Sequence, residues 1–190
     1  MKNVKTITNK DGERITVISA ELFSSNKVKR NTKVVIKTVK NLLSELNGSF
    51  VIIKENNSIV YFDKFFSEEY VYSKDSRYSN LKNKTAKMNA VKEIKTIIEN
   101  ACYSGHSDLK TETIEAKNKR GVDAINGFDY YIVKFAIESE KNRYKFYSGI
   151  LNVRIDREND SFAYDITKIS EDFQRGTKPL NNAEKTSDIL

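Results

Sequence analysis

Apolar positions along the chain alternate with polar ones in some stretches and recur at three-and-four spacing in others. Near the start, "VKTIT" and "RITVIS" flank "NKDGE", whose Asp11-Gly12 pair signals a hairpin turn. "AELFSSNKVK" reads as loop or a short turn of helix. From about Thr32 to Leu46 the apolar residues Val35, Val39, Leu42, Leu43 and Leu46 fall on one helical face. Asn31 or Thr32 can cap that helix, and Gly48 follows its end. "SFVIIK" and "SIVYF" around "ENN" predict a second hairpin, and "DKFFSEEYVYSKDSRYS" fits strand and loop equally. A second helix is predicted from about Thr85 to Ala101, with Met88, Val91, Ile94, Ile98 and Ala101 on its buried face and Lys87, Lys92 and Lys95 away from much of it. "YSGHSDLKTETIEAKNKRGVDAING" reads as a long polar connection.

The last third carries the clearest strand pattern. "FDYYIVKFAI", "RYKFYSGILNVRI" and "SFAYDITKI", separated by "SEKN" and "DREND", predict a three-strand antiparallel meander. The ring density of the first strand suits either a base-stacking platform or the packed face of a sheet. Alternation places Tyr131, Val133, Phe135 and Ile137 on one side and Tyr130 and Ile132 on the other, which favours sheet core for most of the rings. Tyr131, Tyr144 and Tyr147 are the rings expected to show hydroxyls to a ligand; Phe135, Leu151, Val153 and Phe162 are expected in the core. Phe162, Tyr164 and Ile166 are expected to share a face. The fold class is therefore α+β: two hairpins and two amphipathic helices with a C-terminal three-strand antiparallel meander. Residues 1–80 form a basic hairpin-helix-hairpin region, 81–170 a helix plus meander, and 171–190 a flexible tail, with a single domain as the alternative.

Charge sharpens this division. The 190 residues carry a formal net charge of +7. Residues 1–103 hold 19 Lys+Arg against 11 Asp+Glu, and residues 104–190 hold 14 against 15. Such asymmetry suggests an anionic partner for the first half, although an AT-rich coding sequence also inflates lysine. "KVKRNTKVVIKTVK" contains Lys27, Lys29, Arg30, Lys33, Lys37 and Lys40 with no acid between them. "KDSRYSNLKNKTAKMNAVKEIK" adds Lys82, Lys84 and Lys87 among seven bases and two acids. Lysines placed this way can neutralise phosphates and release counterions, or simply solvate a helix face. These nine residues are the candidate contacts to nucleic acid or a nucleoprotein.

Candidate chemistry is sparse. The single histidine, His106, has only Asp108 close by in sequence, which does not make a metal site. The single cysteine, Cys102, excludes an internal disulfide and falls at the apolar end of the second helix, where an inert buried thiol is expected. There is no phosphate-binding glycine loop or serine elbow, and no metal or cofactor is expected. Lys134, Arg143, Lys145 and Arg154 with several tyrosines could support metal-independent RNA cleavage on a sheet face. In that alternative His106, Arg143, Tyr147 and Arg154 are the catalytic set. No run approaches the roughly 20 apolar residues of a membrane helix, and the N-terminus lacks a signal-like apolar stretch. A cytoplasmic protein without a membrane partner is expected.

Several motifs carry a family resemblance. From about Asn47 to Ile169, "VIIKENNSIVYFDK", "AVKEIKTIIENACYS", "DAINGFDYY" and "RYKFYSGILNVRIDRENDSFAYDI" resemble the large polyvalent protein-associated domains of phages and conjugative elements. The pattern is Asp-Ala-x-x-Gly followed by paired aromatics, with a closing Tyr-Asp-Ile. Relatives often place a histidine before the Asp-Ala pair; here "KRGV" precedes Asp123-Ala124. The order of helix and meander also resembles the barnase–EndoU–colicin–RelE nuclease fold, which does not by itself establish cleavage. The resemblance implies a mobile-element setting inside a host bacterial cell. That setting suits a counter-defence inhibitor of the anti-CRISPR kind, and together with the basic first half it leads to the expectation of a non-enzymatic protein that binds nucleic acid or a nucleoprotein, with the metal-independent endoribonuclease as the alternative.

Overall fold

The computed structural model describes residues 4–9, 12–140 and 143–172. Two short strands, β1 (Thr6–Thr8) and β2 (Arg14–Ile18), form the first hairpin; Asp11 of its turn lies outside the described residues. The helices α1 (Ser25–Arg30) and α2 (Thr32–Ser44) follow, then the hairpin β3 (Phe50–Ile53) and β4 (Ser58–Tyr61). The ambiguous stretch after it is helical: α3 (Lys64–Tyr72) and α4 (Lys74–Tyr78). Asp63 starts α3, its carboxylate accepting from the Phe65 and Phe66 amides at 3.0 and 3.3 Å. Ser73 caps α4 in the same way.

The second predicted helix is broken into α5 (Leu81–Ala90), a 3-10 turn (Val91–Glu93) and α6 (Ile94–Glu99). All five residues predicted for its buried face are buried. The stretch read as a polar connection contains β5 (Cys102–Ser107) and α7 (Thr111–Asn118). Cys102 therefore opens an edge-side strand and is exposed, not enclosed at a helix end.

The meander strands are β6 (Phe128–Glu140), β7 (Arg143–Ile155) and β8 (Ser161–Asp172), paired antiparallel as expected. They are the middle of something larger: an eight-stranded mixed sheet, ordered β1-β2-β6-β7-β8-β4-β3, that curls into a half-barrel. β2 joins β6 in parallel through Thr16 opposite Phe135, and β4 joins β8 in parallel at Tyr61 opposite Phe162. β5 pairs with the first half of β6. Strands from both sides of residue 80 thus share one sheet. Glu171 and Asp172, read as tail, complete β8; residues 173–190 lie outside the described residues.

The main core lies between the sheet and the helices. Val35, Val39 and Leu43 of α2, Met88, Ile94 and Ile98, and Val133, Phe135, Leu151, Val153 and Ile166 meet there. Tyr131 and Tyr147 belong to this core, which corrects their expected exposure; Tyr147 stacks on Phe135 at 5.5 Å between ring centroids. Phe162 is only half-buried. A register shift in β8 opposite Asn152–Val153 breaks its alternation, so Ile166 joins the main core while Tyr164 packs with Phe128 in a smaller cluster on the other side. Among the described residues no helix is long and apolar enough to cross a membrane.

Candidate nucleic-acid interface

The helices α1 and α2 bury Val28, Val35, Val39 and Leu43, and this orientation turns their cations outward. Lys27, Lys29, Arg30, Lys33 and Lys37 are exposed, and none makes an ion pair with a described residue. Lys27 rests its ammonium 5.5 Å from the Phe23 ring centre. Lys40, half-buried, reaches Glu68 at 3.4 Å and the Tyr72 ring at 5.7 Å. No acid occupies the first turn of α2, where the helix dipole would favour one, so the positive end of that helix adds to the lysine field.

The second basic segment behaves differently. Lys82 pairs with Glu171. Lys84 is half-buried. Lys87 was expected on the solvent side of its helix but is 1% exposed. Its ammonium donates to Asp165 Oδ1 at 2.7 Å and to Ser76 Oγ at 2.6 Å and stands 4.8 Å from the Tyr70 ring centre. Ser76 Oγ donates on to the Tyr70 carbonyl, and the Tyr70 hydroxyl donates to the Lys87 carbonyl at 2.6 Å. Burial pushes the Lys87 ammonium below its ordinary pKa and the Asp165 carboxyl above its own, and each is partly restored by the other's charge. Lys87 is therefore a structural cation, because α5 is buried on every side from Thr85 to Ala90 and has no exposed face there.

Asn89, two residues on and not singled out by the sequence, explains part of that burial. Its carboxamide accepts from the Leu22 and Phe23 amides at 2.6 and 3.0 Å and donates to the Phe23 and Thr85 carbonyls. This clamps the segment leading into α1 onto α5 and fixes the basic helices on the body. A buried asparagine with all four bonds made is invisible to periodicity.

The four residues of the catalytic alternative do not converge. Arg143 is exposed at one end of β7 beside Glu140, and Arg154 lies eleven residues on, roughly 36 Å along an extended strand. Arg154 is 5% exposed. It pairs with Asp63, donates to the Asp123 carbonyl at 2.7 Å and covers the Phe162 ring at 4.1 Å, which is structural use of a guanidinium. Tyr147 is in the core. His106 lies opposite Asp129, which lies opposite Val153, so it projects from the face opposite to Arg154.

His106 has a definite setting. Nδ1 is 2.8 Å from Asp129 and Nε2 is 3.3 Å from Asp108. The Asp129 hydrogen bond, with Asp108 in support, raises the imidazole above its usual pKa of 6.5. Cys102 stands four positions back along β5, roughly 13 Å away, too far for the histidine to act as its base. Partial desolvation of this mostly exposed residue and the nearby Glu55 hold the Cys102 thiol up.

The chain was compared with protein-family models, curated proteins and solved structures, and nothing in any of the three matched it.

Proposed function

We propose that this protein is a non-enzymatic binder of nucleic acid or of a nucleoprotein complex, and that it docks through α1 and α2. The observation that carries this reading is a run of five successive cations on two adjacent helices, Lys27, Lys29, Arg30, Lys33 and Lys37, all exposed and none paired with a described acid. Unpaired cations raise a local positive potential that phosphates can satisfy with release of their counterions. The resemblance to phage and conjugative-element domains adds the setting: a counter-defence protein whose partner is a nucleic-acid-bearing defence complex.

The test is binding of labelled RNA, single-stranded DNA and duplex DNA, followed by anisotropy as salt is raised. Neutralising about five phosphates gives a log–log slope of about −4 to −5 on duplex DNA, a loss of several hundred-fold from about 50 to 200 mM salt. The Lys29→Glu/Lys33→Glu/Lys37→Glu protein is expected to lose binding while keeping its fold. Salt-insensitive binding, or binding that survives the reversal, overturns the assignment of this surface. RNA turnover in EDTA that disappears in the His106→Ala protein replaces the reading with the endoribonuclease.

A further inference from the structure

A cleft of about 310 Å³ opens where the junction of α3 and α4 meets the outer side of β6, β7 and β8. Ser73, Asp75, Tyr130, Asn152, Asp165 and Thr167 line it. Asp165 is 2% exposed. Its Oδ1 is held by Lys87, but its Oδ2 is enclosed and makes no hydrogen bond. Asp75 repeats the pattern: Oδ1 accepts from the Lys168 amide at 3.0 Å, and Oδ2 is enclosed without a partner. The Ser73 hydroxyl donates to Ser76 at 3.1 Å and is close enough to Asp165 to favour its charged form. Two enclosed carboxylate oxygens without a well-formed hydrogen bond in one cleft are an uncommon and costly arrangement. Tyr130, half-buried, supplies an aromatic wall beside them, while Phe128 and Tyr164 behind it are already covered by Lys117, at 4.9 and 4.3 Å from their ring centres.

We infer that this cleft receives a guanidinium group, presented as an arginine side chain of a partner protein. The acceptors are anionic and short of donors, so a ligand that satisfies them brings N–H groups and positive charge. A guanidinium is planar, carries five donors and no acceptor, and stacks on an aromatic face such as Tyr130. A phosphate would meet carboxylates. A nucleobase brings acceptors of its own that would face them. An ammonium supplies charge but no flat face. The inference is independent of the α1–α2 docking surface and goes beyond it, since it specifies a protein component in the partner.

The experiment is a titration of the isotope-labelled protein with Nα-acetyl-arginine N-methylamide, followed by backbone amide NMR shifts. The matched lysine derivative, cytidine and guanosine serve as comparators. The arginine derivative is expected to give saturable shifts centred on Tyr130, Asn152 and Thr167, with weaker binding of the lysine derivative. Asp75→Asn keeps an oxygen for the Lys168 amide but removes the charge, and is expected to weaken the arginine derivative by about tenfold or more. Tyr130→Ala, a second variant away from the Lys87 network, is expected to weaken it as well. The Lys33→Glu/Lys37→Glu protein is expected to bind it unchanged, which separates this site from the basic surface. Shifts that do not saturate, equal binding of the lysine derivative, affinity unaffected by both cleft variants, or tighter binding of a nucleoside overturns the inference.

Discussion

Lys37 and Lys87 both lie on helices of a basic protein, and the sequence pattern places both away from the apolar stripe. In the folded molecule Lys37 is exposed with no ion pair to a described residue, while Lys87 is enclosed against Asp165. The difference comes from elements far away in sequence. Asp165 is 78 positions from Lys87, Asp63 is 91 from Arg154, and Glu13 is 121 from Lys134. The sheet and its neighbours bring acids to those cations, and among the described residues no acid pairs with α1 or with α2 before Lys40. A count of charges cannot separate a cation available to a ligand from one already committed to the fold; a count of their partners can.

The largest expected effect is at the committed cation. Lys87→Ala strands Asp165 in the core and should cost about 3–5 kcal/mol in chemical denaturation, as breaking a buried pair on one side does. The double exchange Lys87→Met/Asp165→Leu should recover most of that loss, because an apolar replacement removes both desolvation costs. A loss below about 1 kcal/mol for Lys87→Ala would mean that water reaches the pair and that the contrast with Lys37 is false. Lys134, bonded to both Glu13 oxygens at 2.6 Å but about one third exposed, is the intermediate case. Lys134→Ala should cost only about 0.2–1 kcal/mol, since solvent screens a pair of that exposure. At the other extreme, the Lys29, Lys33 and Lys37 reversal should leave stability within about 0.5 kcal/mol per site while removing salt-dependent binding.

The same distinction separates what was legible in the sequence from what was not. α2 and the meander were readable because their burial is one-sided: Val35, Val39 and Leu43 repeat at helical spacing, and Val133 and Phe135 alternate with Ile132 and Lys134. α5 was readable as a helix from Thr85 on, but Lys87 was misplaced, because from Thr85 to Ala90 the helix is enclosed all round and its Lys87 and Asn89 are satisfied by groups no local pattern reveals. The parallel joints of β2 to β6 and β4 to β8 are pairings between distant segments, and alternation within a strand says nothing of its neighbour. β5 escaped notice because "CYSGHS" has no apolar alternation. It is held by pairing to β6 and by a close backbone approach at Gly127, where a Cβ would run into the Ser107 carbonyl. The candidate surface was legible for α1 and α2 only.

The smallest expected effect concerns His106, a cation by circumstance. Asp129 and Asp108 stabilise its imidazolium, so the folded pKa lies above the ordinary 6.5. A group raised on folding contributes stability that is fully present below about pH 6.5 and is lost as the pH rises through the higher folded value. The side chain is 37% exposed, so screening keeps the contribution small and added salt should shrink it further. The comparison is wild type against His106→Gln by denaturation from about pH 5 to 9. The stability advantage of the histidine should be greatest at the acid end and close as the pH rises, and amide exchange in β5 should follow it, because His106 ties that strand to Asp129. A difference that stays constant with pH, or widens toward alkali, would show that the ring bonds Asp129 as a neutral donor throughout. His106 would then belong with the committed polar groups rather than with the titratable ones.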